Sequence, residues 1–271
     1  MQGLSKEAVI GIILGFGLFI YSIVASTNNY LMFINYPSLL LVVGGTIAST
    51  MISFEGRSII KALKDIGNVL IPHRINKRTL YSEVKTIIEW GRIVRKSGLY
   101  ELEKQLDKKV IKDDLLRYGT QLLLTGYRGD ELRQMLNNAT EMTYERHMNQ
   151  AHILKTMAGV APAFGMVGTV VGLIIMLDNL GNDPSKIGGG MALALITTLY
   201  GVLLAQLIFK PAAEKVQQKE DQLRFRNMLL TEGFVLLSES QDSITIQDRL
   251  NSFLDPEIHF SVVKREQIGL N

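Results

Sequence analysis

The 271-residue sequence has no cysteine, which excludes disulfide staples, thiolate nucleophiles and thiolate-held metals together. Histidine is nearly as scarce. His73, His147, His152 and His259 make no HExxH or comparable spacing, and His147 and His152, five apart, fall on different helix faces. Gly188-Gly189-Gly190 lacks the Lys and Ser/Thr that a phosphate loop requires, and no GxSxG occurs. With the usual catalytic arrangements missing, the chain reads as a non-enzyme with no cofactor. Charge is also missing, but locally: Ala8 to Ala25, Ile34 to Phe54, Met157 to Leu177 and Ile187 to Phe209 contain no charged side chain. Each falls in the range of roughly 17 to 25 residues that crosses a bilayer as a helix.

These stretches come as two pairs separated by a long polar segment. The expected architecture is an all-α membrane protein: transmembrane helices 1 and 2 in residues 1–54, a helical insert in 55–156, transmembrane helices 3 and 4 in 157–209 and a helical tail in 210–271. Orientation follows from Lys and Arg near the membrane ends. The loop Ser26 to Phe33 has no basic residue, and Asp178 to Lys186 has one, set against Asp178 and Asp183. Arg57, Lys61, Lys64, Lys155, Lys210, Lys215 and Lys219 crowd the opposite ends. The positive-inside rule therefore places the insert, the tail and both termini in the cytoplasm and the hairpin tips outside. A cleaved signal peptide over the first run would strand three spans and invert this topology. The net charge of +3 is mild and largely explained by topology, so no nucleic-acid surface is implied.

The insert carries the helical period. Leu80, Val84, Ile87, Ile88, Gly91 and Val94 share one face of a helix over 76–96, which Ser97-Gly98 stops. A short helix with Leu99, Leu102 and Leu106 follows, then one with Leu115, Leu116, Gly119, Leu122 and Leu123 before a turn at Gly126-Tyr127-Arg128-Gly129. Asp130 is the expected N-cap of a long helix that has no breaker before Pro162 and should run into the third span. No alternating strand pattern, internal repeat or low-complexity tract is present.

The last two spans contain small and hydroxyl residues in register. Ala161, Gly165 and Thr169 fall four apart, with Gly168 and Gly172 as a GxxxG, and Ala194, Thr198, Gly201 and Ala205 make the matching stripe. Such stripes let helices approach closely in lipid. Two readings stay open: helix packing alone, or packing with Thr169 and Thr198 lining a polar path between helices.

Ala161-Pro162-Ala163-Phe164-Gly165-Met166-Val167-Gly168-Thr169-Val170-Val171-Gly172-Leu173, with Ala194-Leu195-Ile196-Thr197-Thr198-Leu199-Tyr200-Gly201 and the exit Phe209-Lys210-Pro211-Ala212-Ala213, resembles the MotA/PomA family of bacterial flagellar stator subunits. Gly44-Gly45-Thr46, Arg95-Lys96-Ser97-Gly98-Leu99 with Leu102-Glu103, and Glu232-Gly233 extend the resemblance over nearly the whole chain. It implies a multi-pass protein of the bacterial cytoplasmic membrane, five copies around two chains of a MotB/PomB-type partner, with ion flow driving rotation against the rotor protein FliG. The partner would supply the membrane Asp and the peptidoglycan anchor. The residues agree independently, since a conducting path through lipid normally needs an ionisable group and none of the four spans holds one.

The resemblance also implies roles for particular residues. Thr169, Thr198 and the adjoining Thr197 belong to the ion pathway, and Thr at both places looks like the sodium-driven branch, so Na+ is favoured over H+ as the transported ion. Pro162 and Pro211 couple ion flow to shape change, with a simple helix boundary as the plainer reading of Pro211. Arg95, Lys96 and Glu103 engage complementary charges on FliG; the plainer reading is a solvated helix end. Family members often continue acidic where this chain has Lys104, so no second acidic contact is carried over. Two other functions fit part of the sequence, an energy-transducing subunit like ExbB and TolQ or a non-conducting membrane scaffold. The four spans and the Arg95 to Glu103 signature argue against the former.

Overall fold

Backbone polar groups left unpaired in hydrocarbon cost several kcal/mol each, and every charge-free stretch of the sequence is helical. A computed structural model describes residues 6–68, 75, 77–105, 113–182 and 187–260. In order, α1 (Lys6–Ser26) leads through a 3-10 turn at Tyr30–Phe33 to α2 (Tyr36–Ser53) and α3 (Gly56–Asn68). Then come α4 (Lys77–Ser97), α5 (Leu99–Gln105), α6 (Asp114–Thr125) and α7 (Gly129–Asn182). The chain continues with α8 (Ile187–Leu203), a π-helical segment (Leu204–Phe209), α9 (Lys210–Ser238), α10 (Ser243–Asn251) and a 3-10 turn at Pro256–Ile258. Among the described residues there is no strand. Four helical segments are long and apolar enough to cross a membrane.

The residues folding into two compact units are 1–72 with 147–218, and 73–146 with 219–271. In the first, the charge-free helices come together with α3. Asn35 starts α2 by accepting hydrogen bonds from the Ser38 amide at 3.0 Å and its hydroxyl at 2.9 Å, and Pro37 occupies the first turn, where its missing N–H costs nothing. The core of this unit is built on small residues: Ala161, Ala205, Ala212 and Ala213 are buried beside Ile59, Ile153, Leu154, Met157 and Phe209. α1 buries none of the residues of its apolar window Val9–Ser26, and Ile13, Leu18 and Tyr21 all point outward. In water this would be untenable; in lipid it costs nothing.

The second unit has an aqueous-type core. On α4, Val84, Ile87, Ile88, Gly91 and Val94 are buried as their spacing predicts, and Leu80 packs at the edge. Gly98, at φ 82°, ends that helix in the left-handed region; Leu106 lies outside the described residues. Phe234 is fully buried against Trp90, with ring centroids 6.2 Å apart, and only a glycine fits opposite it, because a Cβ at Gly119 would come within 2.6 Å of its ring. Asp113 caps α6 through the Leu116 amide at 3.0 Å, and Gly126, at φ 100°, closes it.

One buried cation organises this unit. Arg226 of α9 donates to both Glu83 carboxylate oxygens at 2.9 Å through Nε, and reaches the capping Asp113 at 2.7 Å through Nη2. Burial opposes its charge, but Glu83 and Asp113 outweigh it and raise its pKa above the usual guanidinium value. A second pair, Arg133 with Glu232, joins α7 to α9.

The long helix is continuous from Gly129 to Asn182 and holds Pro162 inside it, as expected. One expectation is corrected and one alternative reading falls. Asp130 is not the N-cap: the helix opens at Gly129, whose φ of 53° makes the bend, so Asp130 and Glu131 lie in the first turn and favour the helix dipole instead. Nor is Pro211 a helix boundary, because α9 continues to Ser238. The π segment accommodates it: Lys210 N–H donates to the carbonyl of Ala205, five residues back, so the ring falls where the regular ladder has already shifted.

Replacing Arg226 with Leu should lower stability by about 3–5 kcal/mol by leaving two carboxylates uncompensated, whereas Glu83→Leu with Arg226→Leu should recover much of the loss. Thermal unfolding of both variants, followed by circular dichroism, checks this.

Candidate functional site

The site is made by how closely α7 and α8 approach. A Cβ placed on Gly168 would lie 2.5 Å from the Cβ of Thr197, and one on Gly172 would lie 2.6 Å from the Ala194 nitrogen. On the opposite helix, a Cβ on Gly201 would lie 2.7 Å from the Ala161 carbonyl oxygen. Gly165 is packed against the Thr197 and Thr198 backbone, and Ala194 and Ala205 are buried. The four glycines thus face the neighbouring helix, the packing that GxxxG patterns produce in lipid.

At that separation two side-chain hydroxyls meet. The Oγ1 atoms of Thr169 and Thr198 are 2.5 Å apart. Thr169 Oγ1 is 3.1 Å from the Gly165 carbonyl of its own helix and 3.3 Å from the Ala194 carbonyl of the other. Thr198 Oγ1 is 3.3 Å from the Gly165 carbonyl and 3.5 Å from that of Ala194. Two hydroxyl protons serve this cluster: one lies between the hydroxyls and the other goes to a carbonyl. Four uncharged oxygens therefore converge with lone pairs to spare. Each hydroxyl lies within reach of a carbonyl of its own helix and of one across the contact, and a single proton is left to choose among them.

Thr197 is placed differently. It is fully buried, donates within its own helix to the Leu193 and Ala194 carbonyls, both at 2.9 Å, and packs against Gly168.

Below this cluster lies a residue whose role the sequence pattern did not single out. Tyr200 donates from its hydroxyl to the Phe33 carbonyl at 2.5 Å and accepts from the Asn35 amide at 3.1 Å. It thereby satisfies the irregular backbone between α1 and α2. The signal was available: a tyrosine within an apolar span needs a polar partner for its hydroxyl. Phe164, against Gly45 of α2, is another such contact, since a Cβ on Gly45 would fall 2.2 Å from its ring.

Pro162 is half-buried on α7 and faces Gly201. Its missing N–H interrupts the α7 ladder beside the contact with Gly201. Pro211 follows the π segment. The two coupling candidates therefore sit beside two different irregularities of adjoining helices.

In the second unit, Arg95 and Lys96 occupy the last turn of α4 and Glu103 lies on α5, all three exposed. Gly98, at φ 82°, separates the two helices that carry these charges. Arg95 has an acidic neighbour of its own: the Asp242 carboxyl is held below its usual range chiefly by the Thr245 amide, with a smaller contribution from Arg95. Lys104 lies 3.8 Å from Glu101 and over the Tyr100 ring, so it is engaged locally.

Residues 107–227 match the MotA/TolQ/ExbB proton channel family. The chain is 32% identical over 247 residues to the chemotaxis protein PomA of Vibrio alginolyticus, covering 91% of this chain and 94% of that one. It is also 32% identical to motility protein A of Borreliella burgdorferi, covering 94% and 95%. Its fold is like that of a chain in the MotAB structure of C. jejuni, with a TM-score of 0.82 and 24% identity over 95% of this chain and 99% of that chain. Identity of 32% over more than nine-tenths of both relatives means that the chain belongs to the MotA/PomA family of flagellar stator subunits, which are membrane channel components and not enzymes.

Proposed function

We propose that this stator subunit conducts a monovalent cation, Na+ in preference to H+, at its contact with a MotB/PomB-type partner, and converts the flow into torque on FliG. The observation carrying the ion reading is the cluster of Thr169, Thr198 and the carbonyls of Gly165 and Ala194 within spans that contain no charge. A proton needs only a titratable carboxylate, which the partner would bring. A dehydrated metal cation needs several oxygen ligands, and uncharged hydroxyl and carbonyl oxygens suit a hard cation. Ala at either position would remove a hydroxyl from the set. Thr197 supports this cluster from behind, filling the space over Gly168.

The assembly follows from the same chemistry. The unpaired apolar faces of the spans and the missing carboxylate fit a ring of five copies around two partner chains in the bacterial cytoplasmic membrane. Basic residues at one end of each span favour cytoplasmic termini and insert, with the ion entering from the opposite side. Pro162 and Pro211 are the points where a shift at the cluster would change helix geometry, and Arg95, Lys96 and Glu103 supply the rotor-facing charges.

Swimming speed at fixed pH and membrane potential should rise with sodium, and Thr169→Ala with Thr198→Ala should remove that dependence. Sodium-independent swimming of the unmodified protein, or full function of the double variant, would move the assignment to protons. Exposed ion pairs are individually worth about 0–1 kcal/mol, so neutralising Arg95 or Glu103 alone should reduce motility partially, while reversing both abolishes it at unchanged protein level. Pro162→Ala should insert normally yet lower torque, measured as rotation speed of tethered cells under load.

A further inference from the structure

The first unit contains a cavity of about 660 Å³, within the roughly 300–1,000 Å³ typical of ligand sites. Its origin is visible in α1. At Gly15 this helix touches the π segment, where an added Cβ would come within 3.2 Å of Leu207 Cδ2. One turn earlier, at Gly11, an added Cβ would meet nothing within 4 Å. The helices diverge between these positions, and the space they leave is walled by Ile12 and Phe16 of α1, Ile66 of α3, and Leu207 and Ile208.

Its polar lining is confined to the start of α9: Glu214, Lys215 and Gln218. Lys215 Nζ donates to Gln218 Oε1 at 3.4 Å, which leaves most of the ammonium's donor capacity unused. Glu214 is exposed and forms no ion pair among the described residues. The arrangement is an apolar slot whose lining carries one cation and one anion, both from the start of α9.

We infer that this cavity is a phospholipid site, with an acyl chain in the slot, the phosphate on Lys215 and a primary ammonium headgroup on Glu214, as in phosphatidylethanolamine. The occupant follows from the surroundings. Outward-facing Ile10, Ile13 and Leu14 continue the apolar wall of α1, so the slot opens to the hydrocarbon that bathes them, and water lacks the polar partners it would need there. The start of α9 lies on the basic side of the spans, where a lysine extends its head to the phosphate level. Adjacent opposite charges match a zwitterionic headgroup better than an anionic one. The site requires only that the chain be embedded in a bilayer, so it stands apart from the choice of transported ion.

The test is native mass spectrometry of the full-length chain after reconstitution in nanodiscs containing equal phosphatidylethanolamine and phosphatidylglycerol. One phosphatidylethanolamine per copy should survive detergent extraction in preference to phosphatidylglycerol. Lys215→Ser should lower retention about tenfold, the loss expected for one charge-assisted hydrogen bond. Gly11→Leu, which the open space admits, should also lower it, Glu214→Gln should erase the headgroup preference, and Lys210→Ser should change nothing. Absence of retained lipid, or retention unaffected by Lys215→Ser and Gly11→Leu, overturns the inference. So does a disulfide between copies of an Ile12→Cys variant, feasible in a cysteine-free chain, because a neighbouring helix would then occupy the slot.

Discussion

Helices in lipid gain nothing from hiding apolar surface from one another, so their association depends on how closely their backbones can approach. In this protein that constraint is met where Gly165, Gly168 and Gly172 of α7 face Thr197, Thr198, Ala194 and Gly201 of α8. A methyl group at almost any of these glycines would collide with backbone or a β-carbon. The same approach brings the Thr169 and Thr198 hydroxyls into contact and leaves their oxygens, with two carbonyls, as the polar feature shared by this helix pair. Packing and polarity are thus one arrangement, and a change that loosens the first disperses the second.

The spans that make this contact also carry irregularities. Pro162 interrupts α7 opposite Gly201, and the π segment displaces the hydrogen-bond ladder before Pro211. Tyr200, two residues beyond Thr198, holds the backbone between α1 and α2 by two hydrogen bonds.

The second unit obeys aqueous rules. Its core contains Phe234, Trp90 and a row of leucines and isoleucines, and its buried charges are paired. Arg226 joins α9 to α4 and to the cap of α6, so one guanidinium links three elements distant in sequence. Its partners could not be found by periodicity: Glu83 sits on the buried side of an amphipathic helix, where a carboxylate reads as an error until its cation is seen.

Much of this was legible in the sequence because it depends on local periodicity and on the cost of charge in hydrocarbon. Four charge-free stretches, the apolar face of α4, the glycine stops and the uninterrupted run of α7 through Pro162 all follow from neighbours within a few residues. Family membership was legible too, since the string around Thr169 and Thr198 is distinctive in residue type and order. What failed was decided at helix ends and between helices. Asp130 lost the cap because Gly129 could take the left-handed bend, and Pro211 became interior because five-residue hydrogen bonding absorbed its ring. The Thr169–Thr198 contact, the Tyr200 anchor, the Arg226 network and the cavity beside Gly11 needed the tertiary structure, because each joins residues whose separation in space is set by packing between helices.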